Sequence, residues 1–386
     1  MTIAYRRNPP RFLARSIRNF LGVIDVNAYM RRKHTTVADS RRQNSSHVTS
    51  SQRESSVTSP FSDWDKDDKS WDDLQKQLGA SFLQSTGWAR FQVSLGVLPH
   101  RFYGSDWSAL CLEYRTRVGT YWFMPYGPTA KSDAALKKAL RVIKEKAKQA
   151  NVHWLRIEPY WPVNDMRAIE PLAVHSPQHL NPEYSIVNDL SEDEATMRSR
   201  LSSSKRNLIN RGAKGRLRYE ISTKPESIAI FTDMLHVVEK RTGARSHSDD
   251  YYRKQAEVLM PLGMLTLAIA FGPEDQPLAT TILLHNGGVT SRVYAASYPE
   301  ARKFEAGVGL DWYTMLDAKA SGMRLFDFYG AAAPDAPPTH PFAGFTKYKS
   351  EFGGEHIRHG GTWDIPLSAS RYRMYVLLRR LRRIIG

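Results

Sequence analysis

Thiol chemistry is almost absent from this chain. Its single cysteine, Cys111, leaves no partner for an internal disulfide. In the strand-like run Ala109-Leu110-Cys111-Leu112-Glu113-Tyr114 it reads as a small buried hydrophobe. A reducing, cytosolic setting is the expectation. No run of about eighteen apolar residues occurs, so no helix is expected to span a membrane. The apolar stretch Phe20 to Ile24 is too short for a secretory signal and lacks a small-residue cleavage pattern behind it. The twelve histidines show no ligand-like spacing, and neither a P-loop nor a dinucleotide fingerprint is present. No metal and no bound cofactor are expected.

Acidic residues are scarce at both ends. The formal charge is +16, of which residues 1–60 carry +8 and residues 368–386, with six arginines and no acid, carry +6. The body is therefore nearly neutral. Both ends are also amphipathic. Met374, Leu377, Leu378, Leu381, Ile384 and Ile385 recur at helical spacing among Arg379, Arg380, Arg382 and Arg383. Leu13, Ile17, Phe20, Leu21 and Ile24 form a second stripe opposite Arg11, Arg15 and Arg18, after Pro9-Pro10. Such helices suit an anionic membrane surface; docking on the protein's own surface, or a phosphate-binding arm, is the alternative. Residues 34–60, rich in Ser, Thr, Arg and Gln, read as a linker.

The chain as a whole has the 41% hydrophobic and 11% aromatic content of a globular protein, and order is expected to begin near Phe61. Ser70 to Leu78 and Leu83 to Leu95 read as helices, and His100 to Tyr103, Ala109 to Arg115 and Gly119 to Met124 as strands. Ser132-Asp133 opens a helix with Leu136, Leu140, Ile143 and Ala147 on one face, leading to a strand from Val152 to Glu158 stopped by Pro159. The order then recurs. Ser191 with Glu194 reads as a capping box opening a helix towards Gly212 or Gly215. A strand from Leu217 to Ser222 follows, then helices from Pro225 to Gly243 and from Ser248 to Met260. Three strands, Met264 to Phe271, Leu278 to His285 and Val289 to Ser297, are joined by turns that include Asn286-Gly287-Gly288. A helix from Gly307 to Ser321 and a strand from Met323 to Tyr329 complete the second unit.

After that unit comes Gly344-Phe345-Thr346-Lys347-Tyr348-Lys349-Ser350-Glu351-Phe352-Gly353-Gly354, two lysines and three aromatics between glycines. By composition it is an amphipathic strand or turn, with Lys347 and Lys349 on one face and Tyr348 on the other.

Two α/β units of this order resemble the GNAT acyltransferase fold in pattern. The fold class expected is therefore α/β (α+β): two tandem GNAT-like domains with mixed sheets flanked by helices, plus basic amphipathic tails. Several stretches, in order, resemble the Fem-type aminoacyltransferases of peptidoglycan interpeptide bridges. They are Gln84-Ser85-Thr86-Gly87-Trp88-Ala89, Tyr126-Gly127-Pro128, Arg156-Ile157-Glu158-Pro159, Ser204 to Lys214, Tyr294-Ala295-Ala296-Ser297, Asp327-Phe328-Tyr329-Gly330 and Phe345 to Gly354. They extend over roughly residues 75–367. The resemblance implies domains at 61–187 plus 354–367 and at 188–353, flanked by tails at 1–60 and 368–386, with the segment from Gly354 to Leu367 returning to the first domain.

It also implies a reaction: an amine of a peptidoglycan precursor, lipid-linked or UDP-linked, attacks the ester carbonyl of an aminoacyl-tRNA. The co-substrate is then aminoacyl-tRNA, and the enzyme is expected to act as a monomer on the inner face of the plasma membrane. Lys349 takes the role of the lysine that stabilises the oxyanion, because it stands three before Phe352-Gly353, and Tyr348 flanks it. Lys205, Arg206 and Arg211 are candidates for phosphate contacts, and Tyr126 and Tyr294 for substrate contacts. Asp327 is a candidate proton acceptor or a turn cap. Many members have Lys four residues after the tryptophan, where this chain has Gln92. An expected arginine four before a tyrosine is here His247 before Tyr251, with Arg245 a substitute. A coenzyme A-dependent N-acyltransferase, cued by Arg302 to Gly309 ahead of a helix, is the alternative activity.

Overall fold

The computed structural model describes residues 62–64, 67–161, 163, 165–214 and 217–385, with side chains to residue 381. The amphipathic stripe and linker expected within residues 1–60 lie outside these residues.

Ser and Asp caps open most of the helices. In the first unit, α1 (Asp68–Leu78) begins where Asp67 accepts from the Ser70 amide, and α2 (Thr86–Ser94) where Ser85 accepts from the Trp88 amide. A 3-10 turn, Phe82–Gln84, joins them. Strands β1 (Leu98–Tyr103), β2 (Trp107–Thr116), β3 (Gly119–Met124) and β4 (Thr129–Ala130) follow. Helix α3 (Asp133–Gln149) then buries Leu136, Ala139, Leu140, Ile143 and Ala147, with Asp133 in its first turn and Lys146 and Lys148 in its last, both favourable to the helix dipole. It crosses over to β5 (Trp154–Ile157), which pairs parallel with β3. A short α4 (Met166–Ile169), β6 (Val174–His175) and β7 (Tyr184–Asp189) complete this half. Cys111 is fully buried in β2.

The second unit opens with α5 (Glu194–Arg200), capped by Asp193 and not by Ser191. The single helix expected from the capping box is two, because the chain breaks at Leu201-Ser202 before α6 (Ser203–Lys214). After β8 (Arg218–Ser222) come α7 (Ile228–Thr242) and α8 (Asp249–Leu259), then β9 (Leu265–Phe271), β10 (Pro277–Asn286) and β11 (Val289–Ser297). The β10–β11 turn holds Gly287 and Gly288 at φ 59° and 85°, left-handed values that glycine adopts at little cost. Helix α9 (Ala306–Ala320) crosses over to β12 (Leu325–Asp327), parallel to β11 as β5 is to β3.

Most of the Gly344–Gly354 stretch is a helix: α10 spans Ala343–Ser350. The strand alternation expected for Lys347, Tyr348 and Lys349 does not hold. Phe345, Tyr348 and Phe352 lie at i, i+3 and i+7, and Tyr348 and Phe352 pack against the second-domain core. Past the helix, Gly353 has φ 82° and its backbone passes Arg200 so closely that a Cβ would stand 2.6 Å from the Arg200 carbonyl. A Cβ at Gly354 would meet Asn188 Oδ1 at the same distance. The chain continues through β13 (Glu355–Arg358), β14 (Trp363–Pro366) and α11 (Ala369–Ile385).

The sheets show how the halves interleave. One runs β1-β2-β3-β5-β14-β6 with β4 on β2, the other β13-β7-β12-β11-β10-β9-β8. Strand β7 thus joins the second sheet, so the expected boundary at residues 187/188 falls inside it. Between residues 354 and 367, β13 pairs with β7 in the second sheet and β14 with β5 in the first. A continuous core crosses between the units, where Trp88 and Phe91 of α2 meet Phe231, Tyr252 and Leu259 of α7 and α8.

Candidate functional site

Between the two units lies a cleft of about 1450 Å³. One wall carries Trp88, Gln92 and Tyr114; the other carries His247, Tyr251 and Tyr294, and Tyr329 and Lys349 stand at the junction. Helix α10 turns Lys349 inward while Lys347 is exposed. A rotation of roughly 200° separates side chains two apart on a helix, which sends the two lysines to opposite sides.

Lys349 is 8% exposed, and its ammonium donates to the Tyr329 and Gly330 carbonyls. Burial, reinforced by the nearby Arg292 charge and opposed by Asp327 and Asp311, brings its pKa down to about 7. The ammonium is therefore exchangeable near neutral pH. Tyr329, which offers one of the two carbonyls, is held at φ 49°. Its hydroxyl donates to Asn181 Oδ1 at 2.8 Å, and Asn181 Nδ2 donates to Glu158 Oε2 at 2.6 Å. Thr362 Oγ1 donates to the other Glu158 oxygen at 2.8 Å. Burial raises the pKa of Glu158.

Behind α10 sits a second cluster. Tyr348 donates its hydroxyl to Asp311 Oδ2 at 2.7 Å, while Arg292 Nε donates to Asp311 Oδ1 at 2.6 Å. Lys205, 1% exposed, places its ammonium 3.8 Å from the Tyr348 ring centroid and 3.2 Å from Glu351. It packs under the helix that bears Lys349 and is not on the cleft wall. Arg206 donates to the Ser199 and Leu201 carbonyls across the turn between α5 and α6, and Arg211 extends outward 3.8 Å from Glu305.

Gln92 is buried and accepts from the Tyr114 hydroxyl at 3.2 Å. Tyr126 is also buried, donates to the Pro182 carbonyl at 2.8 Å, and lies behind Tyr329 with ring centroids 6.1 Å apart. His247 stacks on Tyr251 at 3.8 Å, and burial lowers its pKa to about 4, which keeps the ring neutral. Tyr294 stands edge-on to Tyr252 at 5.3 Å. Asp327 is 2% exposed and lines a separate cavity of about 540 Å³. It accepts from the Ser185 hydroxyl and from the Tyr329 amide. Its charge still acts on Lys349, raising its pKa against the effect of burial.

Lys349, Gln92, His247, Tyr251, Tyr294 and Tyr348 thus share the cleft, whereas Lys205, Arg206, Arg211, Tyr126 and Asp327 do not line it. Sequence reasoning did not single out Arg292, Asp311, Asn181 or Glu158 as site residues. For Glu158 a signal existed in the acid that ends a strand before proline. For the Arg292–Asp311 pair, separated by 19 positions on β11 and α9, none did. Among the described residues no group of His, Cys, Asp or Glu is arranged to hold a metal ion.

The arrangement is that of two GNAT-like units closing on one cleft, with a buried lysine where they meet. Comparison with known proteins refines this. Residues 262–380 match the model of the FemAB family. FemX is similar in structure, with a TM-score of 0.73 and 16% identity over 81% of this chain and 98% of that one. L-PGS from Bacillus licheniformis shows 13% identity over 73% of this chain and 88% of that one, at a TM-score of 0.47. A tandem GNAT protein from the clavulanic acid biosynthesis pathway shows 13% identity over 68% and 79%, at 0.41. No curated protein sequence matches. The fold is that of FemX, and the segment bearing Lys349 lies within the residues that match the FemAB family model.

Proposed function

We propose that this protein transfers an aminoacyl group from aminoacyl-tRNA to an amine of a peptidoglycan precursor during cross-bridge formation. The observation that carries this reading is the buried Lys349 ammonium at the junction of the two units, in the segment that matches the FemAB family.

The amine nitrogen of the precursor attacks the ester carbonyl carbon. A C–N bond forms, the C–O bond to the ribose breaks, and one proton passes from the amine to the departing ribose oxygen. The ester is already activated, so positioning and oxyanion charge are the main demands on the protein. Lys349 is the candidate oxyanion donor, presented by α10, which Asp311 and Lys205 hold from behind. The stacked His247 and Tyr251 and the Trp88 wall offer apolar surface to orient bulky substrates and exclude water. Among the described cleft-lining residues the exposed cations are Arg241 and Arg302, and these are the candidates for phosphate contacts.

The test is to incubate the full chain with tRNA charged with mixed amino acids and with nucleotide-linked or lipid-linked precursor, then weigh the precursor. A gain of one aminoacyl residue is expected. No gain with any amino acid, together with micromolar binding of acetyl-CoA by calorimetry, overturns the proposal in favour of a coenzyme A-dependent acyltransferase.

A further inference from the structure

Helix α11 is amphipathic in an unusual sense, with one side locked into the first unit and an apolar stripe on the other. Tyr372 and Tyr375 are buried, their rings 6.1 and 4.7 Å from Trp154. The Tyr372 hydroxyl donates to Asp364 Oδ2 at 3.0 Å, and the Tyr375 hydroxyl accepts from Arg156 Nη2 at 3.0 Å. Arg156 and Asp364 form a fully buried pair at 2.7 and 2.8 Å, raising the cost of any rotation of the helix that exposes it. Arg379 adds a bond to Gln178 Oε1 at 2.6 Å. The orientation of the helix about its axis is thus fixed by specific polar contacts.

That orientation points Met374, Leu377 and Leu381 outward at 48%, 51% and 44% exposure. At 3.6 residues per turn the three lie within roughly 60° of one another, opposite Tyr372 and Arg379. Arg373 and Arg380 flank the stripe on one side and Arg371 on the other, all exposed. Residues 368–386 contain no acid. Since the inner face already meets the protein's own core, the outer apolar stripe has no partner within the described chain. Apolar residues between rows of arginine complement an anionic lipid surface, where the side chains enter the acyl boundary and the guanidinium groups meet phosphates.

We propose that α11 docks the protein on an anionic lipid bilayer through Met374, Leu377 and Leu381. Its Arg379–Gln178 contact joins the helix to the segment whose Leu180, Asn181 and Pro182 line the cleft. Because that contact lies on the inner side of the helix, docking holds the cleft-lining segment one helix diameter, about 10 Å, behind the bilayer surface. On the transfer reading proposed above, on which this second step rests, the acceptor is lipid-linked.

Sedimentation of the full chain with phosphatidylcholine vesicles, with and without phosphatidylglycerol, tests the proposal. The parent is expected to partition onto the anionic vesicles only. The triple variant Met374→Ser/Leu377→Ser/Leu381→Ser should lose about a hundredfold in partitioning at unchanged melting temperature and unchanged turnover of soluble nucleotide-linked precursor. Arg373→Glu/Arg380→Glu should weaken binding to anionic vesicles as well. Parent-like partitioning of the triple variant overturns the proposal. So does a result in which both variants keep vesicle binding and lose only tRNA affinity, which makes the helix an RNA-binding arm. Failure of the parent to turn over soluble or lipid-linked precursor refutes the transfer reading instead, and leaves lipid docking to the vesicle result.

Discussion

Lys349→Met removes a buried charge and an oxyanion donor together, so it is expected to damage turnover while relieving a cost to folding. Loss of one positioned donor lowers kcat by about 10²–10³-fold, or roughly 3–4 kcal/mol. The folding effect follows from the titration. The folded pKa of about 7 lies below the ordinary lysine value of 10.5. Between these pH values the unfolded chain holds a proton that the folded chain has released, so stability rises with pH across that window and levels off above it. Below about pH 7 both states are protonated and the cost of the buried ammonium is fully present. A shift of this size contributes roughly 5 kcal/mol, with a slope near 1.4 kcal/mol per pH unit. Urea denaturation of the parent and variant at pH 6, 8 and 9.5, beside single-turnover rates at pH 7, reads both effects. The variant should be slower, more stable at pH 6 and flatter in its pH dependence. Parent-like rates, or an unchanged stability slope, would refute the reasoning.

Asp311→Ala should destabilise the fold by about 3–5 kcal/mol, because it strands the buried Arg292 guanidinium, a loss readable in urea melts. Removing that negative charge also lowers the Lys349 pKa further, so the descending limb of the rate profile moves to lower pH. In Asn181→Ala the Tyr329 hydroxyl and Glu158 each lose a partner, for a cost of about 1–3 kcal/mol. Its kcat should fall more than its melting behaviour implies, whereas a purely structural role leaves kcat unchanged. Phe91→Ala should cost about 3–5 kcal/mol by opening a cavity among Trp88, Tyr251 and the interdomain core, as calorimetry would record.

The repeat of α/β units was legible because each signal was local. Ser132 caps α3, its buried stripe follows the helical period, and the Asn286-Gly287-Gly288 turn sets the β10–β11 hairpin. Helix α10 was misread although Phe345, Tyr348 and Phe352 fall at helical spacing, since its eight residues sit close to three glycines and carry a weak pattern. Strand β7 escaped notice because it follows a proline-bearing loop and pairs with β12 and β13, more than a hundred residues away. Within the site, Lys349 could be found from its place before Phe352-Gly353. The burial of Lys205 beneath Tyr348 could not, because charge on a helix says nothing about what packs against it. The placement of Asp327 against Ser185 of β7 likewise depends on sheet pairing, which residue spacing alone does not supply.

The most direct test of aminoacyl transfer follows label from donor to acceptor. Aminoacyl-tRNA carrying a radiolabelled amino acid is mixed with precursor and the full chain, and both species are counted over time. One label gained by the precursor for each one lost from the tRNA, with Lys349→Met at least about a hundredfold slower, is the expected result. Label that leaves the tRNA only as free amino acid, or an equal rate in the variant, would contradict it.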